Sequence, residues 1–185
     1  MGGLIAQELA LHRPDLVRSL TLGCTSPGGP HAVLMSRRVA HLFDHLLAFT
    51  PREAAERAAA VSYTRGTPLA AIRADTEVRM ARPVSRLGYA RQLDATARYA
   101  GSLRRLPKLA CPTLVLHGDK DQIVPPRNAE LLHRAIPGSQ LRILHQAGHI
   151  FTTDATAATT EALLDFFEQA DLGAASALGR AGRAG

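Results

Sequence analysis

The sequence has no tryptophan, and five phenylalanines and three tyrosines make up its 4% aromatic content. With so few aromatic faces, and with arginines scattered rather than clustered, it lacks the stacking platforms and basic tracts of a nucleic-acid binder, despite a net charge of +6. Two cysteines, Cys24 and Cys111, are too few for a disulfide framework and read as small, reduced, buried hydrophobes. There is no run of about 18 apolar residues, so no membrane-spanning segment is expected. The N-terminus carries no basic flank followed by an apolar stretch, and Ala6 stands where a myristoylation signal wants Ser or Thr. These absences lead to the expectation of a soluble, cytoplasmic protein that contacts neither membrane nor nucleic acid. No internal repeat is found.

What is present is 185 residues with 46% apolar content, enough for one domain with a core. Residues 3–12 predict a helix with Leu4, Ile5 and Leu9 on its apolar face and Pro14 as its stop. VRSLTLGCT, Val17 to Thr25, predicts a mostly buried strand ended by SPGGP. From His31 to Gly101 the pattern is helical, with about four short helices. Thr50-Pro51-Arg52-Glu53 forms a capping box, Thr67-Pro68 repeats that entry without the acid, and Pro83 with Ser85 marks another boundary. The charge surplus lies here: His31 to Lys108 holds 14 Lys and Arg against 6 Asp and Glu.

After Leu106-Pro107 the rhythm changes. PTLVLHG, Pro112 to Gly118, is a short continuous apolar run, as in a strand buried on both faces. Arg127 to Ile136 predicts a helix, Ser139 to Gln146 a strand, and Ala155 to Gln169 a helix with Leu163, Leu164, Phe166 and Phe167 as its buried stripe. Strands alternating with helices indicate an α/β fold with a parallel sheet. The expected division is 1–30 as the start of the core, 31–105 as a helical insertion, 106–172 as the rest of the core, and 173–185 as a flexible tail.

In such sheets ligands collect beyond the carboxyl ends of the strands. The loop HGDKDQIVPP presents Asp119 and Asp121, and QAGHIF presents His149. An acid followed by a histidine on successive strand ends suits nucleophilic catalysis, the carboxylate orienting one imidazole nitrogen while the other takes a proton from a hydroxyl. A metal site drawn from His117, Asp119, Asp121, His145 and His149 is disfavoured, because Gly118 turns the chain between the first two and His145 lies in a strand, where a four-residue spacing does not pair it with His149.

MGGLIAQELALHRPDLVRSLTL resembles the stretch that follows the nucleophile in α/β-hydrolase-fold enzymes, whose elbow commonly reads Gly-x-Ser-Met-Gly-Gly. PTLVLHGDKDQIVPP is similar to the family's acid loop, and AGHIF to its histidine loop. The resemblance implies Asp121, not Asp119, as the functional carboxylate and His149 as the base. The backbone amide of Met1 would fall at one half of the oxyanion hole, and the serine at the position before Met1. It also implies that 31–101 is a helical cap, and that the strands preceding the elbow, the oxyanion loop and the nucleophile lie outside this sequence. The chain would then be the C-terminal portion of a capped esterase or lactonase, inert by itself, with an unpaired sheet edge open to self-association.

The resemblance implies a small-molecule substrate with an ester, lactone or similar acyl bond. The arginine surplus of the cap points to an anionic one, and neither cofactor nor metal is called for. Two other readings fit the same residues: a non-catalytic remnant that binds a small ligand, and a relative with the same fold but dehalogenase, epoxide-hydrolase or carbon–carbon hydrolase chemistry.

Overall fold

The computed structural model describes residues 1–82 and 85–181, with side chains through Leu172. The expected boundary at Pro83 and the last four residues of the expected tail lie outside the described residues. Three strands, β1 (Leu20–Gly23), β2 (Thr113–Gly118) and β3 (Gln140–Leu144), form a sheet in the order β1-β2-β3. Both pairings are parallel, with Leu22 opposite Val115 and Leu116 opposite Arg142. β1 and β3, of four and five residues, are shorter than the stretches expected from the sequence; β1 stops where Cys24 turns to positive φ.

Helix α1 (Gly2–His12) precedes β1; α2 (Arg37–His45), α3 (Pro51–Ser62), α4 (Leu69–Met80) and α5 (Arg86–Arg98) fill the interval between β1 and β2. α6 (Arg127–Ala135) joins β2 to β3, and α7 (Phe151–Asp154) and α8 (Thr156–Ala181) follow. α8 continues through residues 173–181, where a tail was the expectation; alanine, leucine and arginine there are strong helix formers. Among the described residues no helix is long and apolar enough to cross a membrane.

β2 is the centre of the core. Val115 packs on one face of the sheet with Leu20, Leu22, Leu132 of α6 and Ala10 of α1, while Leu114 and Leu116 pack on the other with Leu144 and Phe166 of α8. Helices cover both faces, which is why all six β2 positions are buried and the strand reads as an unbroken apolar run.

Two helix faces differ from the sequence reading. α1 buries Leu4, Gln7 and Ala10, leaving Ile5 and Leu9 exposed. Gln7 is the cause: its amide donates to the carbonyls of Gly3 (2.9 Å) and Ser26 (3.0 Å) and accepts from Ser102 Oγ (2.6 Å), a set of bonds available only inside. In α8 only Leu163 and Phe166 of the expected stripe pack on the core; Leu164 and Phe167 face outward, since a straight helix offers the sheet one narrow stripe.

Capping follows the sequence more closely. Thr50 and Glu53 make both halves of the capping box at α3, and Ser85 Oγ accepts from the Gly88 amide (3.0 Å) at α5. Thr67 does not cap α4, whose N-cap is Pro68; its hydroxyl is drawn away to Asp154 and Thr64.

Candidate active site

The loops after β2 and β3 are joined backbone to backbone. The Asp119 amide donates to Leu144 O (3.0 Å) and the Lys120 amide to Ala147 O (2.8 Å). A methyl group at Gly118 would collide with the carbonyls of Ala147 and Gly148, so glycine at this strand end is what lets the two loops close. The same glycine ends β2 and starts the turn that carries Asp121.

Asp121 is 4% exposed. Its Oδ1 accepts from the amides of Ile123 and Val124, each at 2.9 Å, a local turn that fixes the carboxylate plane. Its Oδ2 lies 2.8 Å from His149 Nδ1. Burial pushes the Asp121 carboxyl pKa up, but hydrogen bonding from His117 and His149, the nearby His149 charge and the Val124 amide together outweigh it and hold the group well below the ordinary 3.8. An ionised carboxylate can only accept, so the shared proton sits on His149 Nδ1 and leaves Nε2 as the free basic nitrogen. The His149 side chain is 28% exposed, so it faces both the buried acid and solvent.

Asp119 is placed differently. It accepts from His145 Nδ1 (3.1 Å) and the Ala147 amide (3.3 Å) and pairs with Lys120 at 3.2 Å, at the surface. Met1 stands at the N-cap of α1, where its carbonyl accepts from the amides of Leu4 (2.8 Å) and Ile5 (3.3 Å). The start of α1 lies at the same end of the sheet as the pair: Gly3 packs against Thr25, and the neighbouring Cys24 places Sγ 3.6 Å from Gly148 O.

Cys24 occupies the left-handed region at φ 41°, as does Gln146 at φ 53°, so the ends of β1 and β3 both carry backbone strain next to the pair. Burial, reinforced by the Asp121 charge, raises the Cys24 thiol far above its ordinary value and keeps it protonated. Cys24 is buried, as expected of a small hydrophobe, whereas Cys111 is only partly so.

Cys24, His117 and Asp121 could bring one ligand atom each within 4.8 Å of one another. Those atoms have other partners. His117 Nε2 is 2.8 Å from Val124 O and 3.4 Å from Asp121 Oδ2, the Asp121 oxygens are taken by two amides and His149, and the thiol retains its proton. The cluster acts as a hydrogen-bonded support for the acid loop; His117 Nδ1 is buried and has no partner among the described residues.

A cleft of ≈ 730 Å³ opens between the helical segment and these loops, with Arg38, His41, Arg57, Arg65, Lys120 and Gln122 on its walls. No described residue lining it is acidic. A separate cavity of ≈ 360 Å³ lies wholly among the helices, walled by Phe43, Leu46, Phe49 and Tyr89. Neither Asp121 nor His149 lines either space; the cleft reaches their loops at Lys120, Gln122 and Gln146.

Asp154 has no counterpart among the residues singled out from sequence. Its Oδ2 accepts from the Gly148 amide at 2.7 Å, one residue before His149. No periodicity or spacing marks it; only its position five residues after His149, in a helix of four residues, could have drawn attention to it.

Residues 1–155 match the family described as the alpha/beta hydrolase fold. The poly(3-hydroxyalkanoate) depolymerase of Ectopseudomonas oleovorans is 30% identical over 173 residues, covering 91% of this chain and 58% of its own length. A monoacylglycerol lipase of Bos taurus is 27% identical over 178 residues, covering 90% of this chain and 52% of its own. Among solved structures, a thermophilic esterase from Thermogutta terrifontis superposes with a TM-score of 0.74 at 24% identity, over 91% of this chain and 62% of that one. The chain thus spans little more than half the length of these two curated relatives, and the structural likeness is one of fold. By the residues matched and the sheet that carries them, the chain belongs to the α/β-hydrolase fold family.

Proposed function

We propose that this chain supplies the acid and the base of an acyl hydrolase that cleaves an ester, lactone or similar bond by a Ser-His-Asp mechanism. The observation that carries the reading is the 2.8 Å contact between His149 Nδ1 and the buried, ionised Asp121. In this mechanism His149 Nε2 takes the proton of a serine hydroxyl as its oxygen attacks the acyl carbon. The imidazolium, stabilised by Asp121, then passes that proton to the leaving oxygen as the bond to it breaks. Water enters, gives its proton to the same nitrogen, attacks the acyl-enzyme, and the proton returns to the serine oxygen as it leaves. Asp121 remains ionised throughout.

The serine belongs to the position before Met1, as the elbow resemblance implies, and the amide of residue 1 supplies half of the oxyanion hole when that position is occupied. The 185 residues alone are accordingly proposed to turn over no ester. The helical segment acts as the cap, and the acid-free cleft with three arginines and Lys120 favours a substrate bearing a negative charge.

The test is to express the chain extended by the in-frame codons upstream of Met1 and to assay p-nitrophenyl ester hydrolysis. Activity is expected in the extended protein and is expected to fall by roughly 10⁴-fold or more in His149→Ala. Hydrolysis that survives this substitution, or an upstream segment without a nucleophile at the elbow, overturns the reading.

A further inference from the structure

Both neighbours of His149 are tied to the helical segment. The Ile150 amide donates to Ser62 O at 3.0 Å, and the Gly148 amide donates to Asp154 Oδ2 at 2.7 Å. Asp154 is itself shared with that segment: the same Oδ2 accepts from the Thr64 amide at 3.2 Å, and Oδ1 accepts from the Thr67 hydroxyl. One half-buried carboxylate thus gathers an amide from the histidine loop together with an amide and a hydroxyl from the α3–α4 connection. Among the described residues no cation pairs with it, so these donors, and no salt bridge, fix where it sits.

The space around Gly148 is as restricted as its hydrogen bonding. A methyl group there would stand 2.7 Å from Ser62 O and 3.1 Å from Asp154 Oδ2. A second carboxylate makes a similar bridge beside it: Asp75 of α4 accepts from Tyr63 Oη (2.9 Å) and from Thr153 Oγ1 (2.6 Å) of α7. The amides on either side of His149 therefore donate away from the sheet, to Asp154 and Ser62, while the Gly148 carbonyl meets the Cys24 thiol at the end of β1 (3.6 Å). Where those two amides sit depends on how segment 62–67 is seated.

We infer that Asp154 is a positioning residue that makes the alignment of His149 on Asp121 depend on the seating of the helical segment. Closure of that segment over a ligand then tightens the His149–Asp121 contact, and its lifting loosens the contact, through the Asp154 carboxylate. The inference rests on the proposed function only in treating His149 as the base.

The test uses the 185-residue chain and no turnover. In histidine-¹⁵N-labelled protein, the proton on His149 Nδ1 is followed by its downfield resonance and its rate of exchange with water. Asp154→Asn keeps the shape of the side chain but replaces one acceptor oxygen with a donor facing donors. It is expected to speed exchange of the Nδ1 proton about tenfold or more, the scale of one lost charge-assisted bond. The amides of Gly148 and Thr64 are expected to lose hydrogen-exchange protection together, while Leu114 to Leu116 in β2 keep theirs. Asp154→Glu, which retains the charge, is expected to restore part of the slow exchange.

A purely structural Asp154 would lower stability or the protection of Gly148 and Thr64 yet leave the His149 proton unmoved, and that result overturns the inference. Should Asp154→Asn fail to fold, Thr67→Val removes only the arm from the helical segment; faster exchange of the His149 proton supports the coupling and an unchanged rate refutes it. Because the readout is a ring proton, a negative result leaves the hydrolase reading standing, and a protein without turnover leaves this one standing.

Discussion

β2 and α5 are the two extremes of the molecule. All six residues of the strand are buried, with side chains packed into clusters on both faces of the sheet, whereas none of the thirteen residues of α5 is buried. The strand ends in Gly118 and delivers Asp121 and its support; the helix carries arginines and is held by a serine cap at its start and an exposed Arg98–Asp94 pair near its end. Position is exacting where packing acts on every side. Where only local bonds hold an element, composition can vary as long as caps and helix formers remain, which leaves the helical segment free to set surface charge while the strand ends hold Asp121 against His149.

The largest test of this contrast is a pair of truncations. Leu116→Ala, at a fully buried β2 position, is expected to destabilise the chain by about 2–5 kcal/mol in urea unfolding. Leu87→Ala, in α5 at 61% exposure, is expected to stay within about 0.5 kcal/mol of the parent. Equal costs for the two would remove the distinction.

The acid loop gives the next effect, read against pH. Asp121 has a folded pKa below its ordinary value of 3.8, so the stability it contributes is fully present above that value and is withdrawn as pH falls through the folded pKa. Thermal melts are expected to show this contribution constant from about pH 7 to about pH 5 and shrinking below about pH 4. Asp121→Asn, which keeps an acceptor for the Ile123 and Val124 amides, is expected to be less stable at neutral pH and to flatten that acid limb. An acid limb identical in the two proteins would detach Asp121 from it.

Smaller effects belong to the helical segment. Thr50→Ala removes the hydroxyl of the α3 capping box and is expected to cost about 1 kcal/mol by chemical denaturation at neutral pH. Smallest is Arg52→Ala. Its bidentate pair with Glu77 is fully at the surface, and its loss is expected to leave Tm unchanged at physiological ionic strength. A clear drop in Tm there would mean that α3 and α4 are held by charge and not by their packed faces.

Much of the fold was legible because it is written within a few residues. The α3 capping box, the Ser85 cap, the apolar run of β2 and the alternation of strand and helix all arise from neighbours along the chain, whose letters record the backbone they need. The faces of α1 and α8 were legible only in part. Gln7 reads as a surface residue, yet it is buried because three polar partners, one of them Ser102, wait inside. Leu164 and Phe167 read as core, yet the sheet meets α8 along the line of Leu163 and Phe166 alone.

By itself, then, the sequence determined most of the elements, the caps of α3 and α5, and the two loops rich in acid and histidine. Taken residue by residue it left Asp119 and Asp121 equal as partners for His149, and it was silent on Asp154. Tertiary structure decided both. The register of β2 on β3 and the closing of their loops over Gly118 bring Asp121, 28 residues away in the chain, to His149 and turn Asp119 to the surface. The seating of the helical segment brings Thr64 and Thr67, some 90 residues distant, onto Asp154. Local patterns encode dihedral preferences and periodicity; which side chains meet across such separations is fixed only when sheet register and loop closure have consumed the freedom between them.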